Sequence, residues 1–83
     1  MAYKIEFKKS VGRDLGRVSK AQARTILAKI ESELGNTPEN HPVLTGKFAG
    51  LRKFRVGDDR VVFSILGDTV LILRVSHRRE AFR

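Results

Sequence analysis

The chain has 83 residues, with 17 Lys and Arg against nine Asp and Glu, a formal net charge of +8. That length gives one domain, residues 1–83, near the lower limit for a self-sufficient core, and the lack of cysteine excludes disulfides and thiolate chemistry. No apolar run reaches membrane-spanning length and the N-terminus turns straight into a strand-like pattern, so a cytoplasmic protein that attracts polyanions is expected.

In chain order, Tyr3, Ile5 and Phe7 alternate with Lys4, Glu6 and Lys8, the period of a strand with one buried face. Ser10 is placed to cap a short helix carrying Val11, Leu15 and Val18 on one side, although Gly12 and Gly16 weaken it. Ser19 and Gln22 fit a capping box ahead of a second helix. Its apolar stripe is Ala23, Ile26, Leu27, Ile30 and Leu34, and Gly35 stops it. Residues 36–50, with Pro38, Pro42, Gly46 and Gly50, read as a loop with a turn that buries Val43 and Leu44. Three strands follow: Leu51 to Val56, Arg60 to Leu66 and Thr69 to Ser76, joined by turns at Gly57-Asp58-Asp59 and Gly67-Asp68. A short helical end is expected at Arg78 to Phe82. The order β-α-α-β-β-β implies a two-layer α+β fold, with helices on one face of a largely antiparallel sheet.

Nine of the seventeen cations fall in residues 47–83, where the only acids are Asp58, Asp59, Asp68 and Glu80. Strand alternation sets Lys53 and Arg55 side by side on one face, about 7 Å apart in a regular strand. Arg60 comes near them across the hairpin, and either His77 or Arg78 joins from the last strand. Such a face often serves only solubility. Here, like charges facing each other across strands are destabilising, so their gathering has a cost that something else must justify. His77 adds a group that titrates near neutral pH. Two histidines, His41 and His77, without clustered carboxylates give no metal-site pattern, and no cofactor is implied.

The run Arg55-Val56-Gly57-Asp58-Asp59-Arg60-Val61-Val62-Phe63 resembles the Arg-x-Gly-Asp-Tyr-Arg-Val-x-Tyr hairpin of the RelE/ParE toxin superfamily. His77-Arg78-Arg79-Glu80-Ala81-Phe82 is similar to that superfamily's terminal His-Arg-x-x-x-Tyr, and Leu44-Thr45-Gly46 to the Leu-x-Gly before its sheet. The resemblance spans essentially the whole chain. It implies the toxin of a type II toxin–antitoxin pair. RelE-like members are metal-free ribonucleases that cut mRNA in the ribosomal A site through the RNA's own 2′-hydroxyl; ParE-like members poison DNA gyrase.

The superfamily's paired basic positions fall on Lys53 and Arg55, its hairpin arginine on Arg60 and its C-terminal arginine on Arg78. Arg60 suits the phosphate by bidentate contact, Arg55 can only hold phosphate, and Lys53 is a candidate base because neighbouring like charges favour a neutral amine. The proton donor is Arg78 by resemblance and His77 on physical grounds. Arg52, Arg74, Arg79 and Phe82 complete the substrate-binding set; Phe82 replaces the usual tyrosine, losing a hydroxyl but keeping a ring that can stack on a base. Asp59, in place of an aromatic, adds a negative charge beside Arg60. The implied partners are an acidic RelB-like antitoxin that folds on binding, mRNA and the 16S rRNA region of the A site, with operator DNA for the toxin–antitoxin complex. The competing readings are a ParE-like gyrase inhibitor and a harmless basic nucleic-acid-binding module.

Overall fold

The computed structural model describes residues 3–41, 43 and 50–77. Strand β1 (Lys4–Phe7) leads into helix α1 (Lys9–Leu15) and helix α2 (Lys20–Lys29), which continues as a π turn over Ile30–Leu34. A 3₁₀ turn at Pro38–Asn40 precedes β2 (Arg52–Val56), β3 (Asp59–Leu66) and β4 (Thr69–His77). The sheet order is β1-β4-β3-β2. Neighbours β2/β3 and β3/β4 are antiparallel, whereas β1 runs parallel to β4, from Lys4 opposite Thr69 to Phe7 opposite Ile72. The two-layer α+β architecture expected from the sequence is the one observed. Leu44-Thr45-Gly46 and the helical end at Arg78 to Phe82 lie outside the described residues, and no helix among those described is long and apolar enough to cross a membrane.

Both hairpins turn on a glycine in the left-handed region, Gly57 at φ 60° and Gly67 at φ 62°. The aspartate that follows each keeps a negative φ, the sign pattern of a type II′ turn, whose twist matches that of the strands. Glycine alone therefore supplies the positive φ here.

The core is made by one side of each layer. Ile26, Ile30 and Leu34 are fully buried against Val61, Phe63, Val70 and Ile72. Four-residue spacing on a pure α-helix drifts by roughly 40° per step. The π turn, closing i→i+5 bonds, rotates less per residue and keeps Leu34 over the sheet. A register shift at Val62/Phe63 leaves Leu73 as an extra residue in β4. Val70 and Ile72 are buried before it and Val75 after it, so the bulge moves Arg74 out of the core alternation.

Polar groups on α1 close the edge of β4 where β1 ends. The Lys8 amide donates to the Ile72 carbonyl at 2.9 Å, and Ser10 Oγ donates to the Leu73 carbonyl at 3.3 Å. The Val75 amide donates to Asp14 Oδ2 at 2.9 Å. Ser10 thus serves the sheet from inside the helix; the N-cap is Lys8, with no side-chain cap bond. Ser19 does cap α2, accepting from the Gln22 amide at 3.1 Å, but the Gln22 side chain reaches elsewhere. Val43, expected in the core, is 47% exposed and forms a bridge to Arg52. Phe7 is also largely exposed, at the end of a four-residue edge strand.

Asp14 is itself buried, so truncating it strands the Val75 amide. Asp14→Ala is expected to cost about 1–3 kcal/mol in urea unfolding. Removing its exposed ion-pair partner by Arg74→Ala should cost well below that.

Candidate phosphate-binding face

The face of the sheet turned away from the helices carries the cations. Register sets Arg55 directly opposite Arg60, and Arg60 opposite Ser76; the next row is Lys53, Val62 and Arg74. No carboxylate occurs in either row. Arg55 is exposed, while Lys53 and Arg60 are half-buried. Cross-strand like charges destabilise a sheet, and two guanidinium groups facing one another are suited to share one anion between them.

Lys53, Arg55 and Arg60, with Phe54 and His41, line an open cavity of about 380 Å³. The structure thus brings together three of the residues singled out by sequence and adds His41, which no motif marked. His41 packs edge-on to Phe54 with ring centroids 4.8 Å apart, and to Phe63 at 6.1 Å. A second hollow of about 550 Å³, at the tip of the β2–β3 hairpin, is lined by Arg17, Gln22, Asp58 and Asp59 among others. Its two carboxylates suit an anion poorly.

Other expected members stand elsewhere. His77 pairs with Asp59 in the backbone register, one position beyond the row of Arg60 and Ser76. Arg74 shares the row of Lys53, with its Nε 3.6 Å from Asp14 Oδ2. Arg52 lies on the alternation of Phe54, and its guanidinium donates to the carbonyls of Glu39 at 3.2 Å and His41 at 2.9 Å. It clamps the loop ahead of β2. Arg78, Arg79 and Phe82 lie outside the described residues.

Asp59 corrects one expectation outright. It precedes Arg60 in sequence, but strand alternation sends its carboxylate to the helix side, where it is buried and accepts from Gln22 Nε2 at 2.7 Å. Its Oδ1 has no hydrogen-bond partner among the described residues. The negative charge is therefore removed from the Arg60 face.

The clamped loop has a titratable tie. The Tyr3 hydroxyl donates to the Glu39 carboxylate, and this bond raises the phenol pKa and lowers that of Glu39. Stability from the depressed carboxylate is complete above the unfolded range near about 4.3 and is lost as pH falls through the folded value. Stability from the raised phenol is complete below about 10 and is lost as pH rises through its folded value. Urea-unfolding titrations should therefore show the difference between wild type and Tyr3→Phe largest on the plateau between these ranges and shrinking at both ends.

The two-layer fold with its basic face is that of the RelE/ParE superfamily of toxins. Over 94% of this chain and 100% of the other, it superposes on the toxin–antitoxin complex RelBE2 from Mycobacterium tuberculosis with a TM-score of 0.82 and 27% identity. The archaeal RelE–RelB complex from Pyrococcus horikoshii OT3 gives 0.69 and 28%, over 94% and 97% of the two chains. The chromosomal ParDE system of P. aeruginosa shares the fold at a TM-score of 0.72 and 13% identity, over 92% and 96%. No curated protein matches by sequence. Residues 5–82 match the family described as the ParE toxin of type II toxin–antitoxin system, parDE, and the chain belongs to that family.

Proposed function

We propose that this toxin is a ribosome-dependent endoribonuclease that cuts mRNA in the A site and so inhibits translation. The observation that carries the reading is the direct opposition of Arg55 and Arg60, with Lys53 in the same cavity. Attack of the RNA's 2′-oxygen on the adjacent phosphorus, with the bond to the 5′-oxygen breaking, places additional negative charge on the phosphorus-bound oxygens. Preorganised cations at that position are usually the largest single source of rate. Arg55 and Arg60 hold the phosphate, Lys53 serves proton transfer beside them, and Arg78 belongs to the same set by resemblance. On this reading the toxin acts on ribosomes in the cytoplasm. The solved relatives named above are toxin–antitoxin complexes, and a +8 chain fits an acidic antitoxin of the RelB kind.

Arg60→Ala is expected to lower A-site cleavage by about 10²–10³-fold, read by primer extension on translated mRNA. Because it relieves a like-charge pair, the same change should leave the melting temperature equal or higher. Undiminished ribosome-phased cutting by Arg60→Ala would sink the assignment. The family match favours a second reading, inhibition of DNA gyrase. Gyrase-linked DNA breaks with intact mRNA after induction would establish that one instead.

A further inference from the structure

We infer that Ser76 is a further substrate-contacting residue of this face, its hydroxyl donating to an oxygen of the phosphate held between Arg55 and Arg60; the inference rests on the nuclease reading above. Ser76 lies directly opposite Arg60 in the β3/β4 register, as Arg55 does in the β2/β3 register. Directly opposed residues of antiparallel strands carry their Cβ atoms on one face, about 4.5–5.5 Å apart. Arg60 therefore has Arg55 on one side and Ser76 on the other. The register shift lies beyond this row, between Val62 and Phe63, and leaves the pairing of Arg60 with Ser76 regular. Burial agrees with the placement: Val75 is 3% exposed on the helix side, whereas Ser76 is half-buried, as Arg60 is. The hydroxyls of Ser10, Ser19 and Ser32 are engaged with backbone groups, but that of Ser76 makes no hydrogen bond to any described residue. Paired strands favour β-branched and aromatic residues. Serine is neither, so the fold does not call for it here.

The row's electrostatics suit a hydroxyl at its end. A third cation beside Arg60 would add to the repulsion that Arg55 already imposes. A hydroxyl supplies a donor without a charge, and its lone pairs accept from a guanidinium at the same time. Ser76 thus accepts from an Arg60 N–H and gives its own proton in a hydrogen bond to a non-bridging phosphate oxygen. Hydrogen bonds to an ionised acceptor are roughly twice as strong as neutral ones. As the 2′-oxygen attacks and charge grows on the non-bridging oxygens, this bond strengthens with it. The contact accordingly contributes to rate more than to ground-state binding. Ser76 forms no covalent bond and transfers no proton; it holds the phosphate.

The test uses the full-length toxin on ribosomes programmed with one defined mRNA, measuring single-turnover cleavage. Threonine and valine have nearly the same shape and both suit a strand, so Ser76→Thr and Ser76→Val differ in the hydroxyl. Ser76→Val should lose about 10–100-fold in cleavage rate, with Ser76→Thr close to wild type and neither variant less stable to urea. Ser76→Ala, which removes one oxygen, should share the loss. A second readout uses mRNAs carrying sulfur in place of one or the other non-bridging oxygen at the cut. Sulfur accepts hydrogen bonds weakly, so wild type should be slowed by sulfur at the oxygen that Ser76 contacts. That slowing should shrink in Ser76→Val, which has no such bond to lose. Ser64→Val is the control: Ser64 shares the Arg60 alternation but lies opposite Leu71, and its change should leave the rate unaltered. Equal losses in Ser76→Thr and Ser76→Val overturn the inference, as does an undiminished sulfur effect in Ser76→Val. A wild-type protein that makes no cut overturns the nuclease reading and this inference together, whereas wild-type cutting beside undiminished Ser76→Val cutting overturns this inference alone.

Discussion

Strand β3 sets the terms for everything around it. It is paired along both edges, so its side chains have only two places to go, and the helices occupy one of them. Val61 and Phe63 are buried without remainder, which fixes Arg60 on the opposite face. A slip by one residue would bury a guanidinium and expose two core side chains, a change that one-sided burial forbids. The apolar core thereby holds the register that holds Arg60 against Arg55. Electrostatics then opposes what packing enforces: the like charges cannot separate without dismantling the core.

Much of this was legible in the sequence because it is local and periodic. Ile26, Ile30 and Leu34 announce a helix by spacing, Gly-Asp pairs announce hairpins, and period-two alternation places Lys53 and Arg55 together. What escaped the sequence depends on partners far along the chain. Ser10 reads as a cap by its neighbours, yet its hydroxyl serves a carbonyl 63 residues away. Gln22 completes a capping box on paper, but a buried carboxylate 37 residues on attracts its amide more strongly than a solvated helix end does. Arg52 counted as one more cation of a cluster until alternation and two carbonyls assigned it to the loop.

His41 was hidden for a different reason. It sits in a segment without periodicity, between two prolines, where no pattern tells a buried face from an open one. Its place follows from Phe54 and Arg52, which come to it from a strand folded later in the chain. Asp59 shows the reverse error. Proximity in sequence to Arg60 suggested mutual influence, whereas adjacent residues of a strand lie on opposite sides of the sheet and are separated by it.

The parallel pairing of β1 with β4 also governs how the molecule comes into being. Lys4 lies opposite Thr69, and every strand other than β4 is synthesised before the one that stands between β1 and β3. Contacts of such long sequence separation form slowly, because chain entropy is lost before any contact compensates for it. Synthesis is vectorial. Through most of its emergence the chain is therefore an unfolded polycation lacking the sheet's inner partner, and the face that aligns Arg55 with Arg60 gains its last neighbouring strand only when β4 docks. In this architecture the four-stranded sheet is complete only when nearly the whole of the described chain has been made.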